Sequence, residues 1–172
     1  MKTKLLCSLT VAFALAALAM TGTPASAATP MSFTLTAGAL SITAPTLSVA
    51  LGSEVSSTTA TSISGTIGVV TVTDQRGGVT TWTTSAIATA FTPLSGPADP
   101  ASNVSYAAGT ITDSSTVEAT GVAANDLTGV STVVTGASTG ISTASWNPTI
   151  TVTVPANFAP GVYTATITQS VA

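Results

Sequence analysis

A chain of 172 residues with three Lys or Arg, six Asp or Glu, one Cys and no His carries little of the side-chain equipment of catalysis. Without His, a Ser-His-Asp or Cys-His constellation cannot be assembled. So few cations can neither neutralise a nucleic-acid backbone nor hold an anionic membrane surface.

The first 27 residues read as an export signal. Lys2 and Lys4 form a short positive region, and an apolar run from Leu5 to Met20 is broken only by Ser8 and Thr10. Thr21 to Pro24 ends a helix, and Ala25-Ser26-Ala27 is a small-x-small cleavage triplet, so cleavage is expected between Ala27 and Ala28. The run is short for a spanning helix, which needs about 20 residues. Cys7 lies at the start of the apolar run, away from the cleavage site, so it is not placed for lipidation and leaves with the signal. No Arg-Arg pair points to the twin-arginine route.

The mature chain, residues 28–172, is the size of one domain. It retains Arg76 against Glu54, Asp74, Asp99, Asp113, Glu118 and Asp126, one cation against six acids, a formal charge of −5. With no cysteine left, packing alone must hold it. No LPxTG-type sorting signal is present, so retention at a cell surface is expected to be non-covalent.

Thr, Val, Ser and Ile dominate, and β-branched residues favour pleated backbone over helix. Phe33-Thr34-Leu35 and Leu40-Ser41-Ile42-Thr43 alternate, and Leu47, Val49 and Leu51 do so after Pro45. Residues 53–65 read as a loop. Ile67 to Thr73 is a predicted strand, and Asp74-Gln75-Arg76-Gly77-Gly78 a hairpin loop leading into a strand around Trp82. Residues 94–103 read as a loop, and 113–145 form a low-charge stretch with a predicted strand near Val130 to Val134. Ile150-Thr151-Val152-Thr153-Val154 is the clearest strand, ended by Pro155. After the Pro160-Gly161 turn, Val162 to Val171 is its expected return strand. Many short strands between turn signals imply an all-β fold, a single antiparallel β-sandwich of Ig-like or Greek-key type following the cleaved signal helix.

No chemistry-bearing motif stands out. The acids are scattered singly without flanking sugar-binding aromatics, no Asp-x-Asp-x-Asp-Gly calcium loop occurs, and neither metal nor cofactor is expected. Asp74 and Arg76 are the one acid–base pair close in sequence; the favoured reading is that Asp74 bonds loop amides while Arg76 lies over the strand. Asn103-Val104-Ser105 fits the N-glycosylation pattern. Trp82 and Trp146 are core anchors on general grounds, with sugar stacking as the alternative.

The order of three segments resembles the WxL domain, a secreted surface module of Gram-positive bacteria. They are Phe33-Thr34-Leu35-Thr36-Ala37-Gly38-Ala39-Leu40-Ser41-Ile42, Thr71-Val72-Thr73-Asp74-Gln75-Arg76-Gly77 ahead of Trp82, and the C-terminal pair Pro148 to Pro155 and Gly161 to Ile167. The first family signature stands here as Trp82-Thr83-Thr84, with Thr for Leu, and the second as Gln169-Ser170-Val171, without its tryptophan. In that respect the chain is closer to the WxL-like secreted proteins of actinobacteria. The resemblance implies a non-enzymatic, extracellular protein held non-covalently on the cell wall through peptidoglycan or other surface proteins. Trp82, Trp146 and Tyr163 are then the candidate wall- or partner-binding residues. Self-assembly into a homo-oligomer, surface layer or fibre is an alternative, because the alternating strands have few of the charges that block edge pairing. Hydrolysis of wall glycan by a carboxylate pair is a third.

Overall fold

The computed structural model describes residues 27–172; the expected signal, including Cys7, lies outside them apart from Ala27, which with Ala28 is exposed. Contacts divide the chain into residues 1–34 and a compact unit, Leu35–Ala172. In the first, the described residues 27–34 are exposed and outside any strand.

The compact unit is an all-β antiparallel sandwich. Its strands are β1 (Leu40–Thr43), β2 (Thr61–Thr66), β3 (Val70–Asp74), β4 (Thr80–Ala88), β5 (Thr92–Pro93), β6 (Val104–Ala107) and β7 (Ile111–Asp113). They continue with β8 (Val117–Gly121), β9 (Ser131–Ser138), β10 (Ser142–Trp146), β11 (Thr149–Val154), β12 (Tyr163–Thr164) and β13 (Ile167–Val171). A single 3₁₀ turn, Ala101–Asn103, precedes β6.

The sheet orders reveal a simple plan. One sheet runs β2-β11-β6, a second β1-β3-β10-β7 and a third β13-β4-β9-β8. Three long excursions (residues 61–88, 104–121 and 131–154) lie side by side, and each crosses all three sheets. The body is therefore a three-stranded antiparallel ribbon folded over twice, with β1 and β13 added along one edge.

The first fold is a kink. The central excursion breaks at Asn147-Pro148, where proline has no N–H for a ladder and is tolerated in a sheet interior only at such an irregularity. Registers on either side show three residues of each neighbour, 67–69 and 108–110, opposite those two. The freed groups find partners: Ile67 N–H donates to Pro148 O at 3.1 Å and Gly68 N–H to Asn147 Oδ1 at 3.0 Å. Gly68 sits at φ +99°, which a side chain would strain.

At the second fold β3 passes to β4, β7 to β8 and β9 to β10 through short connections. The expected hairpin at residues 74–78 is thus a crossover between layers, since β3 pairs with β1 and β10 while β4 pairs with β13 and β9. Residues 150–154 and 162–171 are likewise no hairpin: β11 is central between β2 and β6, and the return segment splits into β12 on β5 and β13 on β4. The expected loop 53–65 contains most of β2, whose Thr-Ser-Ile-Ser-Gly-Thr has one large apolar residue.

Between the layers one core unites Val70, Val72, Trp82, Ala86, Val104, Tyr106, Val133, Val134, Ala144, Trp146, Ile150 and Val152. A register shift between Thr84 and Ser85 lets the consecutive Val133 and Val134 both be buried, which unbroken alternation forbids. Trp82 lies against its cross-strand partner Gly136, where an added Cβ would come within 2.2 Å of the indole. Only glycine leaves room for that ring.

Candidate functional site

A wide concavity of about 930 Å³ lies beside the β2-β11-β6 sheet. One wall is the apolar face of that sheet, Ile63, Ile150, Val152 and Val154. Two long segments without extended ladders form the others: residues 44–57, and the stretch from Phe158 to Thr166 that carries β12. Phe91, Asp99 and Gln169 complete the lining.

Local chemistry explains why these walls stand apart. Pro45 interrupts the chain straight after β1, and its ring packs on Gly68 in the kink. Leu51 then lies over Gly65 and Gly52 over Ile63, so the segment runs antiparallel along β2. From Ala44 to Ser56, however, no main-chain group bonds to another main chain among the described residues. The walls meet at one end, where Asn157 N–H donates to Ser57 O and Ser56 Oγ to Phe158 O. Leu47, Val55 and Val162 leave an apolar rim in solvent, each more than four-fifths exposed.

Tyr163 is part of the groove; its ring lies 5.2 Å from that of Phe158, and its hydroxyl donates to Ala159 O at 2.8 Å. Trp82 and Trp146 are elsewhere, each 2% exposed in the core. Neither can stack on a sugar, which corrects their candidacy as contact residues. Trp146 Nε1 instead donates to Tyr106 Oη at 2.7 Å, and that hydroxyl donates to Gln169 Oε1 at 2.9 Å. Burial pushes the Tyr106 phenol up to about 12. Residues 82–84 and 169–171 lie on neighbouring strands, with Val171 opposite Thr84 and Gln169 opposite Ala86.

Two carboxyl residues line the groove, Glu54 on its exposed segment and Asp99 in its floor. Asp99 is 2% exposed, its main chain is bridged to Phe91, and its Oδ1 accepts from Asn103 Nδ2. Burial raises its pKa, opposed by the Asn103 hydrogen bond. The half-buried Asn103 amide is thus engaged in the fold, whatever its glycosylation pattern offers.

The second acidic feature is structural. Asp74, fully buried, accepts Arg76 N–H and a forked pair from Arg76 Nε and Nη2 at 2.9 Å each, plus Thr80 Oγ1 at 2.8 Å. The Arg76 guanidinium holds the carboxyl well below the usual carboxylate range, against the cost of burial. Arg76 also reaches Thr81 O, so this pair ties the β3–β4 crossover together. No group of three or more His, Cys, Asp or Glu is positioned to hold a metal among the described residues.

What the groove offers a ligand is apolar surface, unpaired main-chain N–H and C=O groups, and hydroxyls. Sequence reading identified Tyr163 but missed Asp99, Phe158 and the 44–57 wall, since only folding brings four distant segments to one cleft. No family model matches this chain, and no curated protein or solved structure shows significant similarity to it.

Proposed function

We propose that this is an exported, non-enzymatic contact protein of a Gram-positive cell surface, WxL-like in type, held on the wall by non-covalent contact with peptidoglycan-associated surface components. The observation that carries the reading is the groove: apolar walls beside a long main-chain segment without partners, and no cation or thiol among the residues that line it. Such a cleft recognises an extended, uncharged chain through shape and main-chain hydrogen bonds. The tandem of an export signal and a charge-poor mature chain supports an extracellular setting.

Retention on purified sacculi, with and without their surface proteins, tests it. The exported protein is expected to sediment with them, and the double substitution Leu47→Asp with Val162→Asp at the rim is expected to reduce the bound fraction at least tenfold. Protein that stays wholly in the supernatant under both conditions removes this reading.

One observation favours a second reading. Glu54 and Asp99 share the cleft, burial raises the pKa of Asp99, and a pair of carboxyl groups is what glycoside hydrolysis uses. Release of reducing sugar from wall glycan, lost in Asp99→Asn and in Glu54→Gln alike, is its signature. Absence of turnover in the unaltered protein dismisses it.

A further inference from the structure

Two segments of this chain have the pattern of a strand and are not strands. In Met31-Ser32-Phe33-Thr34-Leu35-Thr36 apolar and hydroxyl side chains alternate, yet Met31, Phe33 and Leu35 are 93%, 91% and 88% exposed. In Thr46-Leu47-Ser48-Val49-Ala50-Leu51 large apolar side chains again take every second position, with Ala50 in place of a hydroxyl residue, and these residues line the ladder-free wall of the groove. Unpaired N–H and C=O groups along an extended segment are a template for another strand. A large apolar side chain left in water at every second position marks a surface that is covered in the working state. Each segment lacks what the other has.

We infer that the arm Met31–Thr36 of one copy inserts as a strand beside residues 46–51 of a second copy, seating Phe33 and Leu35 in the groove and joining copies head to tail. The inference rests on the groove being a contact site and names its occupant. Chemistry fits: residues 28–53 contain no charged side chain, so the two pairing segments themselves bring no ion into the contact. Length fits as well, since both segments are six residues, about 20 Å once the bend at Leu47 straightens on pairing.

Chain geometry selects a second copy over the same one. The arm is rooted where Gly38 N–H donates to Gln75 O, beyond the last residue of β3. The groove wall starts at Ala44, past Thr43, whose partner Thr71 is near the start of β3. Doubling back from Gly38, a fully extended arm brings Met31 level with Pro45 at the furthest, because seven residues separate each from Gly38. Phe33 and Leu35 fall short of residues 46–51. A contact between unlike surfaces that does not close on itself propagates into a chain of copies.

Light scattering on size-exclusion fractions of the exported protein, over a hundredfold range of concentration, tests this. The expected result is a concentration-dependent series of oligomers, reduced to monomer by Phe33→Asp in the arm and separately by Leu47→Asp in the groove. Mixing the two variants is expected to give a dimer and nothing larger, because the Leu47→Asp copy still supplies an arm and the Phe33→Asp copy still supplies a groove. Both residues are more than four-fifths exposed, so both variants fold, as an unchanged circular dichroism spectrum verifies. A strictly monomeric protein throughout overturns the inference, and so do oligomers that persist in both variants. Monomers that still bind sacculi through the groove overturn it while leaving the proposed function standing; oligomers that do not bind sacculi have the opposite meaning.

Discussion

One buried side chain that ties three strands together is Tyr106. Its hydroxyl sits between the indole of Trp146 and the amide of Gln169, linking β10, β6 and β13 with two hydrogen bonds in the core. Tyr106→Phe leaves Trp146 Nε1 without its acceptor and Gln169 Oε1 without its donor. At roughly 1–3 kcal/mol for the buried Trp146 orphan, and less for the half-buried Gln169 at the groove, a loss of about 2–4 kcal/mol is expected from urea unfolding. Tyr163→Phe, whose hydroxyl meets a single exposed carbonyl, is expected to cost less than about 1 kcal/mol. Equal losses in the two variants rule out the assigned role of Tyr106.

Asp99 gives a pH-dependent counterpart. Its folded-state pKa is raised by burial, so both states are protonated in acid and the fold bears no penalty there. The penalty grows as pH rises through the folded value, where the unfolded chain releases its proton more readily. Asp99→Asn keeps an acceptor for Asn103 and removes the charge. It is therefore expected to raise Tm at neutral pH, with a gain that shrinks towards pH 3; a gain that grows on acidification contradicts the assignment.

At the scale of elements, the two folds of the ribbon are built differently. The first uses backbone irregularity, Asn147-Pro148 against three residues on each side, with the Asn147 side chain standing in for a lost ladder bond. The second is held at the β3–β4 crossover by Asp74 and Arg76. Asp74→Asn discards the ion pair while keeping an oxygen for the Arg76 amide, and is expected to cost about 2 kcal/mol at pH 7. Because the folded pKa is depressed, that stabilisation is complete above the unfolded value near 4 and disappears as pH falls through the folded one. The difference in Tm between wild type and variant is thus expected to narrow only in strong acid.

Element by element, the period-two pattern located β1, β3 and β11 because each alternates large apolar residues with Thr or Ser, while β4 was placed by the turn residues ahead of Trp82. It missed β2, which is Ser, Thr and Gly but for Ile63, because neighbours rather than its own side chains hold it in the sheet. It also expected strands at residues 33–35 and 47–51. Neither segment lies in a strand of the structure, because alternation alone supplies no neighbouring strand to pair with.

The compact unit, Leu35–Ala172, has one core shared by its three larger sheets. Since no sheet carries a core of its own, unfolding is expected as one cooperative transition, with calorimetric and van't Hoff enthalpies equal at concentrations where the protein is monomeric. Two resolved transitions exclude the folded-ribbon description. Deleting residues 28–36 removes exposed chain only and is expected to leave that Tm within about 2 °C.

What the sequence determined by itself is the material: β-branched, nearly uncharged, free of His and, over residues 28–172, of Lys and Cys, and therefore pleated and without the histidine of a catalytic triad. These are properties of residues and their neighbours, and a linear pattern records them. Which strands pair, that tight turns join layers rather than hairpins, and that Trp82 and Trp146 face inward while four distant segments enclose a groove were decided by tertiary structure. Burial and main-chain pairing are settled between residues far apart in the chain, as when Pro148 sets the bend that Gly68 completes.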